Sequence, residues 1–240
     1  SAGCVVADRF SANGRHSVLM LEAGGSDRRF YIRMPLGYGK TFYDPRVNWM
    51  YRAEPDPGLD GNADYWPRGK VVGGSSSINA LVYVRGARED FDRWRDLGNP
   101  GWGYDDVLPV FKALEDNDRG ADAWHGAGGP LHVSYTGNLV HGLCATFLEA
   151  STEAGLKLNA DFNGVTQEGA GLYQVNTKDG KRHSAADAFL HPALKRQNLT
   201  LRTGALVTKL RFEGKRAVGV EYELGGRPHF VRARREVILC

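Results

Sequence analysis

"RGKVVGGSSSIN", residues Arg68 to Asn79, sets two adjacent glycines and three serines between two apolar runs. A packed core has little use for such a stretch. Gly73 and Gly74 allow a backbone to come close to a flat or charged ligand. Ser75, Ser76 and Ser77 add hydroxyls and N–H donors, and Asn79 adds a donor and an acceptor. Taken alone, the stretch also reads as a tight turn whose serines cap a helix start.

The N-terminal residues sharpen the choice. "SAGCVVADRFSANG" predicts a helix with an apolar face of Val5, Val6 and Phe10 and a stop at Asn13-Gly14. Val18 to Leu21 form a buried-type strand that ends at Glu22, followed by Ala23, Gly24 and Gly25. Glu22 follows Gly3 by about 20 residues, the spacing between the last glycine of a dinucleotide-binding unit and its ribose-binding acid. Small residues at a helix start let a pyrophosphate approach unpaired N–H groups and the positive end of the helix dipole. Ser1, Ala2 and Gly3 would be the closing positions of that motif. An ordinary helix and strand with an incidental glutamate gives the same pattern.

Further along, Arg28 to Pro67 is turn-rich and aromatic, with little regular structure expected. "KVV" and "ALVYVRG" read as strands flanking the glycine–serine stretch. "REDFDRWRDLG" and "YDDVLPVFKALEDN" read as amphipathic helices, Leu131 to Ser134 as a strand, and "LVHGLCATFLEASTEAGL", from Leu139, as a helix capped near Gly155. A hairpin is expected at Asp179-Gly180, then a helix in "SAADAFLHPALKR". Strands and turns alternate from Leu199, and the final "EVILC" reads as a buried strand.

The 240 residues can bury a sizeable core, and no apolar run is long enough to span a bilayer. The net charge of +3 is dispersed, with no basic stripe, so nucleic acid is not an expected partner. Cys4, Cys144 and Cys240 are odd in number and far apart, which fits neither a disulfide framework nor a zinc site. The histidines carry no ligand spacing and no metal is expected. His125, in "WHGAGG", reads as structural.

Gly69, Lys70, Val72, Gly73-Gly74, Ser75-Ser76, Ile78, Asn79, Tyr83, Gly86 and Asp92 together resemble the first signature of the glucose–methanol–choline (GMC) flavoprotein oxidoreductases. "SAGCVVADRFS", "LMLEAGG", "NWMYRAEPDPGLDG", "WPRGK", "GWGYDDVLPVFKALEDN", "HGAGGPLHV" and "GKRHSAADAFLHP" resemble further segments of that family, in its order. The texture is closest to the choline dehydrogenase-like and alcohol dehydrogenase branch. The resemblance implies an α/β fold: a Rossmann-like FAD-binding domain interrupted by part of an α+β substrate domain with an antiparallel sheet. Residues 1–115 and 185–240 would be mostly FAD domain, and 120–184 mostly substrate domain.

The resemblance also assigns roles. Ser1, Ala2 and Gly3 would lie at the FAD pyrophosphate, and Glu22, with Ala23 and Gly24 behind it, at the adenosine ribose. Arg68, Val71, Val72, Gly73, Gly74, Ser75 and Ser76, with Asn79, Ala80, Leu81 and Val82, would wrap the pyrophosphate and the isoalloxazine. Val207 would meet the adenine through its backbone. Some members attach the flavin covalently to a histidine at the place of Ile78. Isoleucine has no nucleophile, so noncovalent FAD is expected.

The implied activity is oxidation of a small-molecule alcohol by hydride transfer to flavin N5. The family's catalytic histidine belongs to a part beyond Cys240, so no residue here is named as catalytic. The chain is expected to be an N-terminal fragment, inactive without that base. A hydroxynitrile lyase of the same fold and a non-catalytic FAD-binding fragment are the alternatives. A disulfide-reductase-type flavoenzyme would need a redox cysteine pair and a second dinucleotide motif. The electron acceptor stays open among oxygen, a quinone or another. A cytoplasmic location is expected, with peripheral membrane association left open.

Overall fold

The structure is a computed structural model and describes residues 1–137 and 140–240. The chain divides into two compact units, one of residues 1–80 and 184–240, the other of residues 81–183.

In the first unit, the strands Val18–Glu22 and Leu199–Thr203 run parallel, in register from Val18 opposite Leu199 to Glu22 opposite Thr203. The helix Ala2–Ser11 precedes them and buries Cys4, Ala7, Asp8 and Ser11. This corrects the expected face of Val5, Val6 and Phe10, of which Phe10 is 39% exposed. The inward positions are small, and the helix packs on the segment Ala186–Leu190, whose Ala186 and Leu190 are buried. The buried polar residues on this face have partners. Arg196 donates to the Asp8 carboxylate at 2.8 Å and to Ser11 Oγ at 2.8 Å. Asn198 Nδ2 donates to the carbonyls of Ser11 and His16, closing the helix end.

Three antiparallel strands, Ala205–Glu213, Arg216–Leu224 and Arg227–Arg232, complete this unit. The middle strand buries the side chains of Val218, Val220 and Tyr222 on one face, and Gly219 is buried between them. The excursion from Arg28 holds the short α-helices Phe30–Arg33 and Tyr38–Thr41, the 3₁₀ turns Pro35–Gly37 and Pro57–Leu59, and a two-residue strand pair, Tyr51–Arg52 with Tyr65–Trp66. It is anchored by a buried cluster of Ile32, Val47, Val71 and Ile78. "KVV" forms no strand. Val71 makes a single parallel bridge to Gly25 and Gly69 a single antiparallel bridge to Asn48. Residues 236–240 are not a buried strand either. Among the described residues they pair with no strand, and Leu239 is 72% exposed.

The second unit holds a four-stranded sheet in the order Val82–Tyr83, Gln174–Val175, Leu131–Tyr135, Glu115–Asn117. All its pairs are antiparallel except the last. Helices Arg88–Asp96, Tyr104–Leu114 and Leu143–Glu153 accompany it. Leu139, where the third of these was expected to start, lies outside the described residues. The hairpin turn falls at Asp179 and Gly180, both with positive φ, as a two-residue turn requires. The chain passes from the first unit to the second at Ala80–Leu81. The cause is local: Val82–Tyr83 pairs with Gln174–Val175, and Arg85 is bonded to Glu115.

Candidate functional site

Three pieces of the first unit converge on the glycine–serine stretch: the start of the first helix, the end of the Val18–Glu22 strand and the buried cluster below. Gly73 and Gly74 have φ of 89° and 58°, the left-handed region that a side chain disfavours. Gly74 N donates to Val71 O at 2.8 Å, and Gly74–Ser77 then winds as a short 3₁₀ turn. The serines divide the work. Ser75 Oγ accepts from Gly69 N at 3.1 Å, closing the loop on itself. Ser76 Oγ donates to Gly73 O at 2.7 Å and accepts from Ala185 N at 3.1 Å. Ser77 Oγ, fully buried, donates to Val72 O at 2.7 Å.

The helix start meets this loop through Ser1, whose Oγ accepts from Ser76 N at 3.1 Å. The first-turn amides of Ala2 and Gly3 are left over by the helix's own ladder. They form the positive end of the helix dipole. The strand end meets the loop through Gly24 and Gly25: Val72 N donates to Gly25 O at 3.0 Å. A Cβ on Gly24 would lie 1.8 Å from Lys70 O, so the approach is possible only for glycine. Glu22 Oε1 accepts from Gly24 N at 2.7 Å. Burial pushes the Glu22 carboxyl above its usual range, against the pull of that bond.

Beside the loop lies a cleft of about 260 Å³ lined by Phe42, Pro67, Arg68, Ser75, Ile78, Asn79 and Ala80. Arg68 is extended over the Trp66 ring, 5.0 Å from its centroid, and Lys70 lies 4.7 Å over Trp49. Ile78 is 1% exposed and belongs to the cluster beneath.

Of the residues expected to act together, Ser1, Ala2, Gly3, Glu22, Ala23, Gly24, Arg68, Val71 to Ser76, Asn79 and Ala80 all lie in this unit. Val207 does too. It sits in the strand that follows Gly204, whose N–H donates to Gly24 O at 2.9 Å. It is 39% exposed, and the ladder shifts register between Val207 and Lys209. A bulge there loosens the backbone pairing that a regular strand would consume. Leu81 and Val82 belong to the other unit. Leu81 is buried with φ of 66°, and Val82 pairs with Val175.

Two polar networks escaped the sequence reading. In the first unit, Asp27, Asp187 and His191 bring one ligand-type atom each within 4.8 Å of one another. Their charges are already engaged. Asp187 accepts from Arg33 at 2.7 Å and from both N and Oγ of Ser184, and His191 Nε2 lies 2.8 Å from Asp27 Oδ2. The bond to Asp27 raises the His191 pKa. This network fastens the turn after Gly25 to the segment that carries Ala185.

In the second unit, His125 lies between Glu115, 2.8 Å from Nδ1, and Asp161, 2.7 Å from Nε2. Arg85 also pairs with Glu115. Burial opposes the imidazolium, but the two carboxylates outweigh it and lift His125 to about 9. The spacing of these residues along the chain gave no sign of either network.

The profile of the GMC oxidoreductase family matches residues 1–240, the whole chain. The chain belongs to the GMC oxidoreductase family. It is 48% identical over 239 residues to the oxygen-dependent choline dehydrogenase of Rhizobium etli, covering 100% of this chain and 43% of that protein. Among solved structures, pyridoxine 4-oxidase from Mesorbium loti superposes with a TM-score of 0.90 at 36% identity, over 97% of this chain and 46% of the other. An FAD-dependent oxidoreductase from Chaetomium thermophilum gives a TM-score of 0.86 at 29% identity, over 97% of this chain and 42% of its own. This GMC chain therefore spans less than half the length of the relatives it matches. Among the described residues, no helix is long and apolar enough to cross a membrane.

Proposed function

We propose that the first unit of this chain holds FAD for an enzyme that oxidises a CH–OH group, with a choline-type alcohol as the leading substrate class. One observation carries the reading: the glycine–serine loop, the helix start and the Glu22 strand end meet in one place, in a chain of the GMC family. The residues fit the cofactor. Gly73 and Gly74 leave a backbone-lined rim, Ala2 and Gly3 offer first-turn amides to a diphosphate, and Ser1 adds a hydroxyl. Glu22 is held by Gly24 and carries a second carboxylate oxygen that can accept from ribose hydroxyls.

When bound, FAD supplies the hydride-accepting ring. This chain's residues supply position. Val71 to Gly74 set the backbone rim, and the Ile32, Val47, Val71 and Ile78 cluster gives it a rigid, dry floor. Ile78 offers no nucleophile, which supports noncovalent attachment. Val207, beside the register shift, is the candidate to meet the adenine. The names of the choline dehydrogenase relatives support the substrate class. The first unit is accordingly read as the FAD-binding part and the second as the substrate-domain part.

Acid precipitation of the full-length protein tests the attachment. FAD released into the supernatant fits the proposal; a flavin that stays with the pellet contradicts noncovalent binding at Ile78.

A further inference from the structure

Asn48 is 2% exposed and sits in the aromatic excursion, with no role assigned to it above. Its side chain uses its full hydrogen-bonding capacity. Nδ2 donates to Phe42 O at 2.8 Å and to Tyr65 Oη at 3.1 Å. Oδ1 accepts from Met50 N at 2.9 Å and from Arg68 N at 3.0 Å. Tyr65 in turn donates its hydroxyl to Phe42 O. The backbone on either side is laced to the loop entrance: Trp49 N donates to Arg68 O at 2.9 Å and Lys70 N to Val47 O at 2.8 Å.

Two of the four partners, Phe42 and Arg68, line the cleft beside the glycine–serine loop. A third, Met50, has φ of 55°, a conformation costly for methionine that the Asn48 bond helps to hold. No other residue type of this size offers two donors and two acceptors at once. We propose that Asn48 is a positioning residue that fixes Phe42 and Arg68 against each other in the lining of this cleft, so that the cleft admits the ring end of the cofactor and its substrate in one orientation. This rests on the proposed function.

The test uses the full-length protein and the variants Asn48→Asp and Tyr65→Phe. Asp keeps the acceptor bonds to Met50 and Arg68 but turns a carboxylate toward Phe42 O. Phe keeps the ring stacked on Tyr43, 5.6 Å away, and removes only the hydroxyl. With both variants loaded with flavin, KM for the alcohol should rise about tenfold in N48D, with kcat within about twofold and the visible circular dichroism of the flavin altered. Y65F should move the same readouts in the same direction, and it carries the test where N48D does not fold. A lower melting temperature with unchanged KM and flavin dichroism would overturn the inference and leave Asn48 merely structural. A wild-type protein without flavin would instead overturn the proposed function, and this inference with it.

Discussion

Gly24→Ala isolates the contact on which the candidate site depends. The new Cβ would lie 1.8 Å from Lys70 O, 2.2 Å from Lys70 C and 2.5 Å from Val71 N, all backbone atoms that no rotamer can withdraw. Ordinary contact needs about 3.5 Å, so the strand end and the loop must part by about 1.7 Å. That displacement breaks the Val72–Gly25 bond of 3.0 Å and strains the Gly204–Gly24 bond of 2.9 Å. One lost bond, one strained bond and an overpacked contact together cost roughly 3–5 kcal/mol. Gly14→Ala is the control, because Gly14 has φ of 70° and nothing within 4 Å of the added atom. It should cost only about 1 kcal/mol, from the backbone conformation alone. At about 2–4 °C per kcal/mol, thermal melts should place G24A about 10 °C below wild type and G14A about 3 °C below. G24A should also lose flavin while G14A keeps it. Equal melting of the two variants would refute the close approach of Gly24 to Lys70.

Three further outcomes follow from the same geometry. His125 is lifted to about 9, so its charge contributes stability that is complete below about pH 6.5 and is lost as pH rises through 9. Wild type should therefore lose urea resistance between pH 7 and 10, whereas H125Q should start lower and stay flatter over that range. Ser76→Ala removes a donor to Gly73 O and an acceptor for Ala185 N, and should lower stability by about 1–2 kcal/mol in denaturant titration. Glu22→Gln keeps the acceptor for Gly24 N but loses the charge, and should weaken FAD binding about tenfold or more by equilibrium titration without unfolding the protein.

Several parts of the fold were legible because a single local rule governs them. Val18 to Glu22 reads as a strand from its apolar run, and the strands after Leu199 are punctuated by Gly204, Gly214 and Gly225-Gly226, all with positive φ. The Asp179-Gly180 hairpin needs only its two turn residues. The first helix was legible as a helix but not in its orientation. Hydrophobicity pointed to Val5, Val6 and Phe10, while the packing chose the small Cys4 and Ala7 and buried Asp8, because Arg196 waits for it in a distant segment. "KVV" failed as a strand because its partners, Gly25 and Val47, lie in irregular chain.

The candidate site follows the same division. Gly73, Gly74 and Glu22 stood out by residue type and spacing. Asn48, Asp27, His191 and the Glu115–His125–Asp161 group did not, since their meaning lies in partners far along the chain. The role of the serines was visible only in outline. Composition offered three hydroxyls, and the structure gives each a separate partner: Gly69, Gly73 and Val72.

The proposed chemistry is tested most directly by the visible absorption spectrum of the purified full-length protein, recorded anaerobically before and after adding choline and a panel of simple alcohols. A flavin spectrum that one of these alcohols bleaches is the expected result. A folded protein with no flavin absorption would contradict the reading of Gly73, Gly74 and Glu22 as an FAD site. A flavin that none of the alcohols bleaches would contradict the proposed oxidation of a choline-type alcohol.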